Sequence, residues 1–408
     1  MVNPAASENV FAGGSILSIK IGFLFNHDSI HQISHTAPII SEIARMGGHV
    51  TVIASSRTQI EHLTKIMGDV ADVEFVHIDI GRVAKAVDVL ARQIIPFRRI
   101  ASLRENLKLF SSFDALVVPE TTSALLKSHF GLKQLKLIYL PHGAGDRSVG
   151  FRDVTRHFDL VLLPGTKTRD RMLERDLIRP DSHAVVGYPK FDLIDLTDRK
   201  RFFDNDRPTV LYNPHFDPRL SSWWDMGLPV LEWFARQDRY NLIFAPHIML
   251  FRRRFHTSVE HRKLRHRISI PEKYRHLPHI LIDEGSSHSV DMSYTRSADI
   301  YLGDVSSQVY EWIHQPRSCI FLNAHAAQWQ DNPNYAHWEL GQVIDRIADL
   351  PAALEKACTL DEVFRTRQTK AFELTFSLQP DRSSAQRAAE AIISFLSSGS
   401  VPRDLETV

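Results

Sequence analysis

The stretch A-D-I-Y-L-G-D-V-S-S-Q-V-Y-E-W, Ala298 to Trp312, decides how this chain is read. Ile300, Tyr301 and Leu302 form an apolar run of strand length, Gly303 permits a turn, and Asp304, Ser306 and Ser307 open a predicted helix. The first turn of a helix leaves backbone N–H groups without partners and carries partial positive charge. A hydroxyl-rich helix start behind a strand is therefore a seat for a phosphate. The same residues also describe an ordinary capped helix with no ligand, so the surrounding chain has to decide.

Working outward, short apolar runs alternate with longer amphipathic segments. The first half predicts strands at 18–25, 49–54, 73–78, 115–119, 135–140, 160–163 and 184–186, with helices among them at 36–46, 81–109 (with a break at Pro96) and 121–130. A polar, charged passage at 192–208 marks a domain boundary. The rhythm then restarts, with strands at 209–213, 241–245, 280–282, 300–302 and 318–322 and helices at 221–236, 290–296 and 306–314. An amphipathic helix at 383–396 closes the pattern. Strands alternating with helices predict parallel sheets covered on both faces. The fold class is therefore α/β, with two Rossmann-like doubly wound domains facing across a cleft. The boundaries are 1–195 on the acceptor side, 196–380 for a nucleotide donor, and a helix and tail at 381–408 that packs back on the first domain.

The 408 residues, 43% hydrophobic and 24% charged, suit a globular protein of two domains. A net charge of +1 makes no case for nucleic acid. Cys319 and Cys358 are the only cysteines, too few for a disulfide framework or a cysteine zinc site. The first residues lack the basic start and apolar core of a secretory signal, and no apolar run reaches membrane-span length. The expected location is cytoplasmic, peripheral to the inner face of the cell membrane. Walker, G-x-G-x-x-G, G-x-S-x-G and H-E-x-x-H patterns are missing, so neither a metal nor a cofactor is expected.

Polar residues gather at the predicted strand ends. Asn26, His27 and Asp28 follow the first strand, and Gln32, Ser34, His35 and Thr36 precede the next helix; His27 and His35 are candidates for acceptor contact. The fifth strand ends in P-H-G-A-G-D-R. There His142, on a turn made possible by Gly143 and Gly145, has the chemistry of a general base, and Asp146 is a candidate to orient its ring. In the second half Asn213-Pro214-His215 and Ala245-Pro246-His247 end two strands. His247 leads into a basic run, Arg252 to Arg275, holding nine Lys or Arg against Glu260 and Glu272. Such a run is solvated surface, or a face for an anionic lipid or polyanionic acceptor. The segment 85–110, with Ile94, Ile95, Phe97, Ile100 and Leu103 among four arginines, suits an anionic bilayer as well as a core helix with a basic outer face.

These spaced motifs resemble a known family. The whole chain looks like a GT-B-type transferase, and residues 135–325 resemble the CDP-glycerol glycerophosphotransferases that build teichoic-acid-like polymers. The resemblance rests on His142-Gly143, V-L-Y-N-P-H-F, Pro246-His247, and the opening stretch followed by P-R-S-C-I-F-L. Asp304, Ser306, Ser307 and Glu311 fit the family's acidic residue, paired serines and later acidic residue. Three positions depart from it: Ala144-Gly145-Asp146 replaces a short polar residue and proline, Ala245 an arginine, and Gly303 a threonine.

The resemblance implies transfer from a CDP-activated alcohol to a hydroxyl acceptor, lipid-linked in such families. His142 would take the acceptor's proton. His247, Ser306, Ser307, Asn213 and Pro246 would surround the donor diphosphate, Asp304 would brace the turn, and Glu311 would meet a nucleoside or glycerol hydroxyl. His27, His35 and Gly143 would lie on the acceptor side. Three alternatives share the scaffold: a glycosyltransferase using a nucleotide-sugar, a catalytically silent binding subunit, and a sugar-nucleotide epimerase, for which no matching carboxylate set is evident.

Overall fold

The structure, a computed structural model, describes residues 19–26, 30–68, 70, 72–91, 97–258 and 262–402. The chain divides into two compact units, one of Met1–His142, Asp153–Leu193 and Ser377–Val408, the other of Gly143–Arg152 and Ile194–Phe376.

The first unit holds a sheet of seven strands: β1 (Lys20–Phe25), β2 (His49–Ala54), β3 (Val73–His77), β4 (Ala115–Val118), β5 (Lys136–Tyr139), β6 (Leu160–Leu163) and β7 (His183–Val185). Their order is β3-β2-β1-β4-β5-β6-β7, every neighbouring pair parallel. Strands β4 and β6 are buried at every position, as they must be when helices cover both faces of a parallel sheet. The helix Ser384–Ser398 belongs to this unit. Ser383 caps it by accepting the N–H of Gln386, and Gly399 ends it in a left-handed conformation. Its Ala388, Ala389 and Ile392 join Ile39, Ile40 and Ile43 of helix Ala37–Arg45 in one apolar core. Arg387 lies in that interior because its guanidinium donates to the carbonyls of Val185 at 2.8 Å and Ser377 at 2.6 Å.

The second unit holds eight strands: β8 (Thr209–Asn213), β9 (Asn241–Phe244), β10 (Phe255–Ser258), β11 (Lys263–His266), β12 (Ile280–Ile282), β13 (Ile300–Gly303), β14 (Cys319–Leu322) and β15 (Gln342–Ile344). Six of them form a parallel sheet in the order β12-β9-β8-β13-β14-β15, while β10 and β11 pair antiparallel as a separate ribbon. Within each parallel sheet the chain winds outward in one direction and then returns to the other side. The reversals fall between β1 and β4 and between β8 and β13, where open α/β sheets bind ligands.

Several local expectations need correction. The predicted helix 81–109 is the helices Arg82–Ala91, Phe97–Glu105 and Leu107–Phe110, with 92–96, and so Ile94 and Ile95, outside the described residues. In the second of these helices Leu103 is buried and Arg98 donates to the carbonyl of Ser55, the pattern of a packed helix with a basic outer edge. The predicted helix 306–314 is a short one, Gln308–Trp312. Among the described residues no helix is long and apolar enough to cross a membrane.

Candidate functional site

In the first unit the loop after β5 places His142. Its Nδ1 lies 2.8 Å from the carbonyl of Pro119, at the end of β4, and Nε2 lies 3.1 Å from the side-chain amide of Gln32. A carbonyl can only accept, so Nδ1 carries the proton, and the Nε2 lone pair receives an N–H of Gln32. The ring is half-buried and neutral. Burial holds its pKa below the usual histidine value, the nearby Arg99 charge adds to this, and the bond to Pro119 opposes it. A neutral imidazole with an oriented tautomer and a basic nitrogen held by the Gln32 amide can remove a proton from a hydroxyl that displaces that amide. Gln32 is 6% exposed, and its Oε1 has no partner among the described residues.

His35 lies in the interior of the first unit. It is 4% exposed and meets the Tyr188 ring edge-on at 4.9 Å, so aromatic packing claims its imidazole. His27 is outside the described residues.

In the second unit the ends of β8, β9 and β13 converge. Asp304, 1% exposed directly after β13, accepts the N–H of His215 at 2.9 Å, and the N–H and hydroxyl of Ser222 at 2.6 and 2.9 Å. Burial pushes its carboxyl up to about 7, against the pull of these hydrogen bonds. Asp304 thus ties the loop after β8 to the loop after β13. Asn213 is occupied as well: its amide donates to the carbonyl of Ala245 at 2.6 Å and accepts the Tyr301 hydroxyl at 3.3 Å. Here lies the physical reason for glycine at 303. A Cβ at that position would stand 2.4 Å from the Tyr301 ring. Gly303 gives this aromatic the space that a threonine would fill.

The histidines at these strand ends are set by backbone groups. His247 Nδ1 accepts the N–H of Met249 at 3.2 Å, so the neutral ring presents Nε2–H; buried Pro246 fixes the backbone before it. His247 lies 5.4 Å from His215 and 4.6 Å from Phe216, ring centre to ring centre. His215 is offered two donors, the N–H of Asp217 at 3.0 Å on Nδ1 and the Arg147 guanidinium at 3.1 Å on Nε2. A neutral imidazole has one accepting nitrogen, which the ring can turn to only one of these two groups. Burial first, then Arg147 and His247, keep the His215 pKa well below the usual value.

Arg147 arrives on the loop Gly143–Arg152, which belongs to this unit. The loop lies against Ser307, which is exposed, whereas Ser306 is buried and accepts the N–H of Gln308 at 3.3 Å. A Cβ at Gly143 would sit 3.6 Å from the Ser307 hydroxyl; at Gly145 it would sit 2.9 Å from Ser307 Cβ and 3.5 Å from its Cα. Gly145→Ala therefore overpacks this junction. The expected loss is about 1–3 kcal/mol, read as a lower denaturation midpoint; an unchanged midpoint would show that the loop moves off Ser307 freely. Asp146, expected beside the His142 ring, instead accepts the Tyr310 hydroxyl at 2.5 Å and two N–H groups of His337, from Nδ1 at 3.1 Å and from the backbone at 3.2 Å. Glu311 is buried in the short helix.

Gln32, Arg147 and His337 carry contacts that sequence reasoning did not assign. Their partners lie 110, 68 and 191 residues away along the chain. Only the polarity of the loops holding Gln32 and Arg147 hinted at them.

No family model and no curated protein matches this chain. Solved structures do. A Listeria monocytogenes protein assigned as a UDP-N-acetylglucosamine 2-epimerase has a TM-score of 0.62 at 14% identity, over 94% of this chain and 98% of that one. The wall teichoic acid polymerase TagF, in a structure soaked with CDPG, has a TM-score of 0.56 at 13% identity, covering 93% and 88%. The glycotransferase of kitacinnamycin has a TM-score of 0.53 at 14% identity, covering 94% and 99%. At these identities the likeness speaks for architecture, and with the two parallel sheets it establishes an α/β fold of the GT-B type.

Proposed function

We propose that the chain is a transferase that moves a group from a nucleotide-diphosphate-activated donor to a hydroxyl acceptor. The donor we favour is CDP-activated, and the group transferred is glycerophosphoryl or a related alditol phosphate. One observation carries the reading: polar side chains converge at the ends of β8, β9 and β13, where the chain order of the sheet reverses. Arg147, the Nε2–H of His247 and the hydroxyl of Ser307 gather there, while Asp304 and Asp146 are spent on groups of the fold. A cation, an imidazole and a hydroxyl at a strand-end loop are the groups that bind a diphosphate. TagF, in a structure soaked with CDPG, motivates the CDP choice, and structures of the same architecture with UDP and UDP-GlcNAc make the uridine nucleotides the competing donors.

In this reading the acceptor oxygen attacks phosphorus and its proton passes to Nε2 of His142, displacing the Gln32 amide. The bond from phosphorus to the bridging oxygen breaks, and CMP leaves with the electron pair. His247, Ser306 and Ser307 offset the charge that grows on the leaving group, and Gly143 keeps the backbone beside the base uncluttered. Alignment and charge neutralisation suffice for such a step, with no covalent intermediate. Glu311 is assigned to a donor hydroxyl, and the acceptor to a lipid-linked chain at an anionic membrane face.

The test is a donor panel. Purified protein with CDP-glycerol and a hydroxyl acceptor should release CMP. Release of UDP or GDP from a nucleotide-sugar would replace the proposal with a glycosyltransferase. Acceptor-independent epimerisation of UDP-N-acetylglucosamine would replace it with the activity named for the Listeria protein. Silence with every donor, together with unimpaired biological activity of His142→Ala and His247→Ala, would mean a binding subunit.

A further inference from the structure

The basic run after His247 contains a piece of structure that the donor site does not use. Strands β10 and β11 stand outside the six-stranded sheet as a two-stranded ribbon. Two strands alone are marginal in water, and this pair is held from beneath. Trp224 donates its indole N–H to the carbonyl of His266 at 2.8 Å and meets the His256 ring edge-on at 5.5 Å. The register pairs Phe255 with His266 and Thr257 with Leu264. His256 and Ser258 alternate with these to the buried side, so Phe255, Thr257, Leu264 and His266 share the outer face.

That face is unusual in charge and polarity together. Phe255 is 52% exposed and Leu264 62% exposed. Arg252, Arg253, Arg254 and Arg262 are exposed beside them, and among the described residues none of the four forms an ion pair with a carboxylate. Arg265, by contrast, is paired with Asp225 at 3.4 Å. A solvated charge run would not need two large apolar side chains on its open face. A nucleic acid or polyphosphate would use the arginines but gives the aliphatic Leu264 nothing to enter. An anionic bilayer uses both, with its headgroups meeting the guanidinium groups and its acyl boundary receiving phenylalanine and leucine.

We infer that the β10–β11 ribbon is an interfacial membrane wedge that seats Phe255 and Leu264 among anionic lipids while Arg252, Arg253, Arg254 and Arg262 bind their headgroups. The inference gives the membrane contact in the preceding reading a location, but it stands on the ribbon's own surface rather than on the donor chemistry.

The experiment uses the full chain with vesicles of phosphatidylcholine alone or with phosphatidylglycerol, in a flotation assay and without any nucleotide. The wild type should float with the anionic vesicles only. Arg252→Glu/Arg253→Glu/Arg254→Glu should weaken binding about a hundredfold or more, since each cationic side chain near the surface is worth about fivefold. Phe255→Ser/Leu264→Ser, which keeps every charge, should also lose binding, and circular dichroism would verify that both variants are folded. A Phe255→Trp variant should blue-shift its fluorescence on anionic vesicles but not on polyphosphate or single-stranded DNA. Failure of the wild type to float, binding by the serine variant equal to wild type, or an equal blue shift on the soluble polyanions would each overturn the inference. Vesicle binding with no transfer from any donor would leave the wedge standing and remove the transferase.

Discussion

His142→Asn should lower the rate of group transfer by about 10²–10⁴, the range that a positioned general base contributes. Asparagine is the informative replacement because its side-chain N–H can still reach toward the Pro119 carbonyl, yet it offers no lone pair basic enough to take a hydroxyl proton. Donor affinity should hardly change, since the groups assigned to the diphosphate lie on residues of the second unit. The pH profile supplies a second readout. Burial keeps the His142 pKa below its ordinary value, and the proposed base works in its neutral form. The wild-type rate should therefore rise with pH through a midpoint below 6.5 and then level off, and the variant should lack that limb. Transfer by His142→Asn within fivefold of wild type, with the acid limb intact, would rule the residue out as the base.

The legibility of this chain in its sequence divides along physical lines. The parallel strands were readable because a strand covered on both faces must be apolar throughout; L-V-L-L at β6 and A-L-V-V at β4 admit little else. The ribbon was not. F-H-T-S alternates between exposed and buried positions and K-L-R-H between half-buried and exposed ones; both are short and lie in a charged run, so they read as part of a basic loop. Strand β15, Q-V-I at the sheet edge, is too short for any period to show.

Strand ends could be found by counting, and that brought His142 in the first unit, and His215, His247 and Asp304 in the second, into view. What each polar atom does there could not be counted. The amide of Asn213 bonds Ala245, just past β9, and Tyr301 of β13, partners that its local sequence does not announce. Asp146 sits four residues after His142, yet its carboxylate holds Tyr310 and His337. Hydrogen-bond satisfaction in a buried site is settled by topology, and partners 32 to 191 residues apart leave no mark on local sequence.

Asp304 is where this matters most for stability, and its replacement should have the second large effect. Three donors converge on its carboxylate: the N–H groups of His215 and Ser222, and the Ser222 hydroxyl. In Asp304→Ala the N–H groups of His215 and Ser222 lose this acceptor, while the Ser222 hydroxyl keeps the Tyr212 hydroxyl at 2.9 Å, and each buried donor left unmade costs about 1–3 kcal/mol. A total loss of roughly 3–5 kcal/mol is expected, enough to release the loop after β8 and abolish donor binding with it. Asp304→Asn is the finer probe, through pH. The folded carboxyl titrates near 7, against a reference value of 3.8. Between those values the folded state holds a proton that the unfolded chain has released. The stabilisation from this group is thus fully present below pH 3.8 and is lost as pH rises toward 7, by about 1.4 kcal/mol per unit of pH. Wild type should therefore lose on the order of 2 kcal/mol between pH 5 and 8 relative to Asp304→Asn. Denaturant titrations of both proteins at the two pH values measure the difference. A gap that stays constant would mean that the three hydrogen bonds outweigh burial and keep the carboxylate charged throughout, so that it braces the donor loop as an anion rather than as a group poised to titrate.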